Sequence, residues 1–201
     1  MLLEKPKRER GFKKERILRV LLNHTDEDIT KYRVAKLAEV SEPWCREVTE
    51  RLEGKDLLQD TSVVKPRELY EEWQDTRIEP NQLTVSIQQP MSVLSDTELK
   101  YGLTIYQAEN IHQGLLFTST TDFYVEPGEI KEWQEIVKEK GLFGGGNTRL
   151  RATDEHVFYN SQTVDGYTTV SIPQLIVDLL DEGGPCEEAA ENLIQKHHGD
   201  R

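Results

Sequence analysis

Few side chains in this sequence have the type and spacing for chemistry. The glycine run Gly144-Gly145-Gly146-Asn147 is of a kind that can cradle a phosphate on backbone N–H groups. A Walker loop would continue into Gly-Lys-Ser/Thr, which is absent. Nucleotidyl transfer would need carboxylates on one side of a strand to hold two metals. Asp154 and Glu155 are adjacent, so in an extended chain they point to opposite faces. The run therefore reads as a flexible loop. Asp178, Asp181, Glu182, Glu187, Glu188 and Glu191 crowd the C-terminal end and read as the solvated face of two surface helices. His197 and His198 read as part of a frayed, solvated tail. Cys45 and Cys186 lie far apart with no partner motif, which fits buried, reduced thiols in a cytoplasmic protein. No Ser/His/Asp, Cys/His or His-x-x-x-His set occurs at useful spacing, so the expectation is a non-enzyme with no metal and no cofactor.

The chemistry that remains is recognition. Val34-Ala35-Lys36-Leu37-Ala38-Glu39-Val40 has helical spacing, and Ser41-Glu42-Pro43 then starts a second helix with an N-cap-type hydroxyl and a proline in its first turn. Cys45, Val48 and Leu52 form one buried stripe on that helix. Two helices joined at Ser41 make a helix-turn-helix, whose second helix is free to enter a major groove. Trp44, Arg46, Thr49 and Arg51 lie off the stripe. Arg46 is the best candidate for a guanine edge, since a guanidinium can bond O6 and N7 together. Ser41 suits a phosphate at the helix N-terminus. Lys36, Lys13, Lys14 and Arg16 are expected on backbone phosphates. Glu42, Glu47, Glu50 and Glu53 on the same helix oppose this reading.

These residues need elements to position them. A first helix is expected from Arg10 to Leu22, an extended piece at Tyr32, and a helix from Val34 to Val40. The reading helix should run from Ser41 to Gly54. Leu57-Leu58 to Val63-Val64 leaves room for a two-stranded wing around Asp60-Thr61-Ser62, and Pro66 opens a helix to Thr76. Beyond Pro80-Asn81 come a strand at Leu83–Ile87, helices at Ser95–Leu99 and Leu103–Ile111, and a strand within Phe117–Val125. A helix over Glu129–Lys140 is followed by strands at Thr148–Ala152 and His156–Tyr159. Asp165-Gly166 reads as a hairpin turn. Ser171 with Gln174 has the pattern of a capping box, and Gly183-Gly184-Pro185 separates the last two helices. The fold class expected is α+β: an N-terminal winged helix-turn-helix over residues 1–78, followed by a small α/β domain over residues 79–201.

Charge is distributed unevenly along the 201 residues. Residues 1–60 hold 14 Lys/Arg against 13 Asp/Glu, whereas residues 61–201 hold 11 against 24. The formal net charge is −12, so the basic N-terminus is the segment suited to a polyanion. No run of 18 apolar residues occurs, which argues against a membrane span.

A family resemblance rests on a combination of segments. Lys65-Pro66-Arg67-Glu68-Leu69-Tyr70-Glu71-Glu72-Trp73 follows the wing. Arg149-Leu150-Arg151-Ala152 runs into Asp154-Glu155-His156-Val157-Phe158-Tyr159. Val170-Ser171-Ile172-Pro173-Gln174-Leu175-Ile176-Val177-Asp178-Leu179-Leu180 leads to the Gly183-Gly184 break and Glu187-Glu188-Ala189-Ala190-Glu191. Over nearly the full chain this resembles the AbiEi family, the antitoxin-type transcriptional regulators of type IV toxin–antitoxin systems. The resemblance implies an autorepressing regulator that binds double-stranded DNA at its own promoter or operator, with a nucleotidyltransferase-type toxin as partner. It places the DNA contacts on the helix from Ser41 to Arg51; the acidic residues of that helix depart from what DNA binding requires. A homodimer would suit paired half-sites. Two other classes stay open: a winged helix that docks a protein, and a nucleotide- or metal-dependent enzyme using the Gly144–Asn147 loop.

Overall fold

A computed structural model describes residues 3–7, 9–25, 27–143 and 145–199. The first helix, α1 (Glu9–Asn23), is buried along Ile17, Leu18, Leu21 and Leu22. α2 (Lys31–Leu37) begins earlier than the apolar spacing indicates, because the Thr30 hydroxyl accepts the Arg33 N–H and caps it. Tyr32 is therefore helical and exposed, not part of an extended segment. α3 (Glu42–Glu53) follows after a short turn, with Cys45, Val48, Thr49 and Leu52 buried. Burial pushes the Cys45 thiol up to about 11, so it stays protonated. β1 (Leu58–Gln59) and β2 (Ser62–Val63) form a small antiparallel ladder, and α4 (Pro66–Thr76) buries Leu69, Tyr70 and Trp73.

Beyond residue 78 the architecture is a mixed sheet with helices. The elements are β3 (Asn81–Ile87), α5 (Pro90–Asp96), β4 (Tyr101–Thr104), α6 (Ile105–His112) and β5 (Thr121–Val125). They continue with α7 (Ile130–Lys140), β6 (Gly141–Phe143), β7 (Thr148–Ala152), β8 (Gln162–Val164), β9 (Tyr167–Thr169), α8 (Ile172–Glu182) and α9 (Pro185–His198). Among the described residues the sheet order is β6-β3-β7-β5-β4-β9-β8, with β5–β7 and β4–β9 parallel and the other pairs antiparallel. The fold class is thus α+β.

Strand alternation gives the two sheet faces opposite chemistries. Leu83, Leu150, Phe123 and Leu103 align across four strands, and Phe123 meets Trp133 of α7 with ring centroids 5.1 Å apart. The other face carries Asp122, Tyr124, Arg149 and Arg151, with Asp122 paired to Arg149 and Tyr124 to Arg151. It is covered by α8. Apolar residues from both sides of residue 78, including Leu18, Trp73, Leu103 and Leu179, belong to one contiguous cluster.

Several local expectations give way to pairing. Pro90 stops β3 and also opens α5, so that helix lies ahead of Ser95–Leu99. Tyr101 to Thr104 pairs with β5, and the expected helix over Leu103–Ile111 starts only at Ile105. Ile105 turns the strand into the helix with φ 51°, a costly conformation for a β-branched residue. Glu155–Phe158 is a 3-10 turn and not a strand. Ser171 occupies the N-cap position of α8, but its side chain makes no capping bond and instead accepts from Asn23. Gln174 is buried and donates to Asp178 while accepting from Arg19, so no capping box forms.

The glycine run is pinned where it is described. Asn147 accepts the Ile87 N–H at 3.0 Å and donates to the Ile87 carbonyl at 2.9 Å. A Cβ on Gly146 would lie 2.3 Å from the Val85 carbonyl oxygen, so a glycine is needed for close approach to β3. Gly144 lies outside the described residues. The C-terminal expectations also change. His198 is buried and bonded to the Tyr70 hydroxyl at 2.9 Å, so it is not part of a frayed tail.

Candidate nucleic-acid interface

α3 exposes most of its circumference, and helical geometry fixes what it shows. At about 100° per residue, Pro43, Glu47 and Glu50 lie opposite the buried stripe, and all are exposed. Arg46 and Arg51 flank this acidic ridge on opposite sides, about 140° apart around the axis. Arg46 donates to Glu42 at 3.0 Å, and Arg51 pairs with Glu47. Both pairs are exposed i, i+4 pairs, worth a few tenths of a kcal/mol, so a better acceptor can break either one. Ser41 is exposed at the N-cap and makes no side-chain capping bond, beside Glu42 in the first turn. Lys36 is exposed in the last turn of α2. Trp44 is half-buried, and its indole N–H is buried without an acceptor.

Two expected contacts are not available to a duplex. Thr49 is fully buried, and its hydroxyl donates to the Arg46 carbonyl at 3.0 Å. Arg16 turns inward. Its Nη2 bonds Asp154 at 2.7 Å and its Nη1 bonds Glu39 at 2.7 Å. Burial would raise the Asp154 carboxyl, but the Arg16 guanidinium outweighs it and holds the group below the usual carboxylate range. Lys14 is also engaged, on Glu72 at 2.6 Å. Lys13 alone of the three points freely outward on α1.

Inward-facing charges on α1 tie it to distant parts of the chain. Arg19 is buried; its Nε donates to Gln174 at 2.9 Å and its Nη1 lies 3.1 Å from His156 Nδ1. His156 Nε2 lies 2.9 Å from the Leu37 carbonyl, so a neutral ring with its proton on Nε2 satisfies both neighbours. Burial, with Arg19 adding to it, lowers this imidazole to about 4. Glu15 accepts from Trp73 Nε1 at 3.2 Å and from the Ile78 N–H at 2.9 Å.

A second polar cluster was not foreseen. Asp178 is fully buried and accepts from Arg77, Thr104, Tyr124 at 2.9 Å and Gln174 at 2.9 Å. Arg77 also pairs with Asp181, and Arg149 grips Asp122 and Glu182. The neighbouring carboxylates hold the Arg77 guanidinium charged against the desolvation of burial. Asp178 and Glu182 therefore belong to an ionic layer between α8 and the sheet, whereas Asp181, Glu187, Glu188 and Glu191 are exposed as the solvated-face reading expects. The alternation Arg149-Leu150-Arg151 was the available signal, since it puts both arginines on one face of a strand.

Among the described residues no group of three or more His, Cys, Asp or Glu is placed to hold a metal ion. None of their helices is long and apolar enough to cross a membrane. No family model matches the chain, and no curated protein or solved structure matches it either.

Proposed function

We propose that this chain is a DNA-binding transcriptional regulator of the type IV antitoxin kind. Residues 1–78 act as a winged helix-turn-helix in this reading, and the part that follows serves antitoxicity. One observation carries it: α3 is anchored by a single stripe and otherwise exposed, packed after α2 across a tight turn and followed directly by the β1–β2 hairpin. Arg46 exchanges Glu42 for a guanine edge. Ser41 and Lys36 meet phosphates at one end of α3, while Lys13 and Arg51 meet them at the other. A nucleotidyltransferase toxin and a second copy of the chain are the partners this reading implies.

The test is fluorescence anisotropy with the duplex upstream of the protein's own gene and a scrambled duplex, at low and physiological salt. Tighter binding to the upstream duplex at physiological salt is expected. Arg46→Ala should erase the preference, and Lys13→Ala should weaken both duplexes alike. Equal, salt-labile binding to both duplexes by the wild type would refute sequence-specific regulation.

The acidic ridge of Pro43, Glu47 and Glu50 favours one other reading, a module that docks a basic protein surface. It requires no salt-sensitive duplex affinity at all.

A further inference from the structure

We propose that the cleft between α1, α3 and α4 binds a small amphipathic anion, an aryl or alkyl carboxylate or sulfonate. The cleft encloses about 430 Å³, within the range of small-molecule sites. Its floor is apolar: Val48 and Leu52 are buried there, and Trp44 forms one wall. Its charged lining is lopsided. Arg10, Lys14, Arg51 and Lys55 face the cleft, with Glu72 the one acid among its lining residues. Lys14 and Lys55 both pair with that single carboxylate. Burial would raise Glu72, but the two ammoniums outweigh it and keep the group ionised, so the surplus of the lining is positive. Arg10 makes no ion pair among the described residues, and Arg51 meets Glu47, which does not line the cleft.

A ligand with an apolar body and one anionic head satisfies both halves of this arrangement. The body covers Val48, Leu52 and the Trp44 ring. The head sits among the cations, where charge-assisted bonds are strongest. A bare phosphate would engage the cations but leave the apolar floor uncovered.

The probe is anilinonaphthalene sulfonate, which fluoresces when its apolar body leaves water, titrated into the full chain. One saturable site is expected, displaced by decanoate and not by inorganic phosphate at equal ionic strength. Arg51→Glu and Lys55→Glu should each weaken it about tenfold, the loss of one charge-assisted contact. Lys13→Glu, an exposed cation of α1 outside the cleft, should leave it unchanged. Circular dichroism melts of the three variants show that each is folded, which their exposed positions favour. An unsaturable signal, equal loss in Lys13→Glu and Lys55→Glu, or displacement by phosphate as effective as by decanoate would overturn the proposal. No duplex is present, so this result and the anisotropy result can fail independently.

Discussion

Removing the Asp178 carboxylate tests whether the ionic layer under α8 holds the fold together. The group is fully buried and accepts from Arg77, Thr104, Tyr124 and Gln174. In Asp178→Ala, Arg77 keeps Asp181 and the Val177 carbonyl, but Tyr124 and Thr104 lose a buried acceptor. Breaking a buried pair by deleting one partner costs about 3–5 kcal/mol. That is a large share of a typical total of about 5–15 kcal/mol. At about 2–4 °C per kcal/mol for a chain of this size, the melting temperature should fall by about 6–20 °C. Urea unfolding followed by circular dichroism measures the loss directly. The double variant Asp178→Leu/Arg77→Met tests the cause, because replacing both ions with apolar groups is far less costly than orphaning one. A single-variant loss below about 1 kcal/mol would refute the argument, as would a double variant as unstable as the sum of its parts.

The remaining predictions concern the same inward contacts. His156 is lowered to about 4 in the fold, against about 6.5 when unfolded. The unfolded chain therefore binds more protons between these values, and up to about 3 kcal/mol of stability is lost as pH falls from about 6.5 to 4. His156→Gln should flatten that slope in pH-resolved unfolding. Gly146→Ala should cost about 1–3 kcal/mol, because its Cβ would fall 2.3 Å from the Val85 carbonyl oxygen; an unchanged melting temperature would contradict that contact. Arg16→Ala should destabilise by about 2–4 kcal/mol by orphaning Asp154. It should also leave the duplex affinity of the folded fraction unchanged, which a DNA-contacting arginine would not do.

What could be read from the sequence depended on how local the deciding force was. Pro66 with Leu69, Tyr70 and Trp73 marks α4 because a first-turn proline and a helical stripe act within a few residues. Asp165 and Gly166 both take positive φ, as a tight hairpin turn demands, and Gly183 and Gly184 do so where α8 ends. The start of α3 at Ser41 was legible for the same reason. β4 was not, since Leu103 to Ile111 has apolar spacing that suits a helix, and pairing with Thr121–Val125 decides otherwise. Arg16 and Arg19 were legible as cations but not as internal ones. Their partners Asp154, His156 and Gln174 lie more than 130 positions away. Periodicity reports which face of a helix is polar; it does not report whether that polarity is answered by water or by another chain segment.

The direction of these charges bears on how an acidic chain can approach a polyanion. The N-terminal cations counted from sequence exceed those left on the surface, because Arg16 and Arg19 serve Asp154, Gln174 and His156, and Lys14 serves Glu72. The Arg16 and Arg19 contacts tie α1 to the 3-10 turn and α8, beside the contiguous apolar cluster that already joins α1 to the rest of the chain. Among the described residues up to 60, the cations still exposed are Lys5, Lys7, Arg10, Lys13, Arg33, Lys36, Arg46, Arg51 and Lys55, interleaved with exposed acids such as Glu39, Glu42, Glu47 and Glu50. With acids and cations interleaved, this surface gives little long-range attraction, and each phosphate contact adds only about one unit of salt dependence. In the proposed DNA-binding reading, duplex affinity therefore comes from a few well-placed contacts exchanged for the Glu42 and Glu47 pairs. On the proposed reading, affinity then depends on sequence more than on charge, as a net charge of −12 requires of a chain that approaches a polyanion.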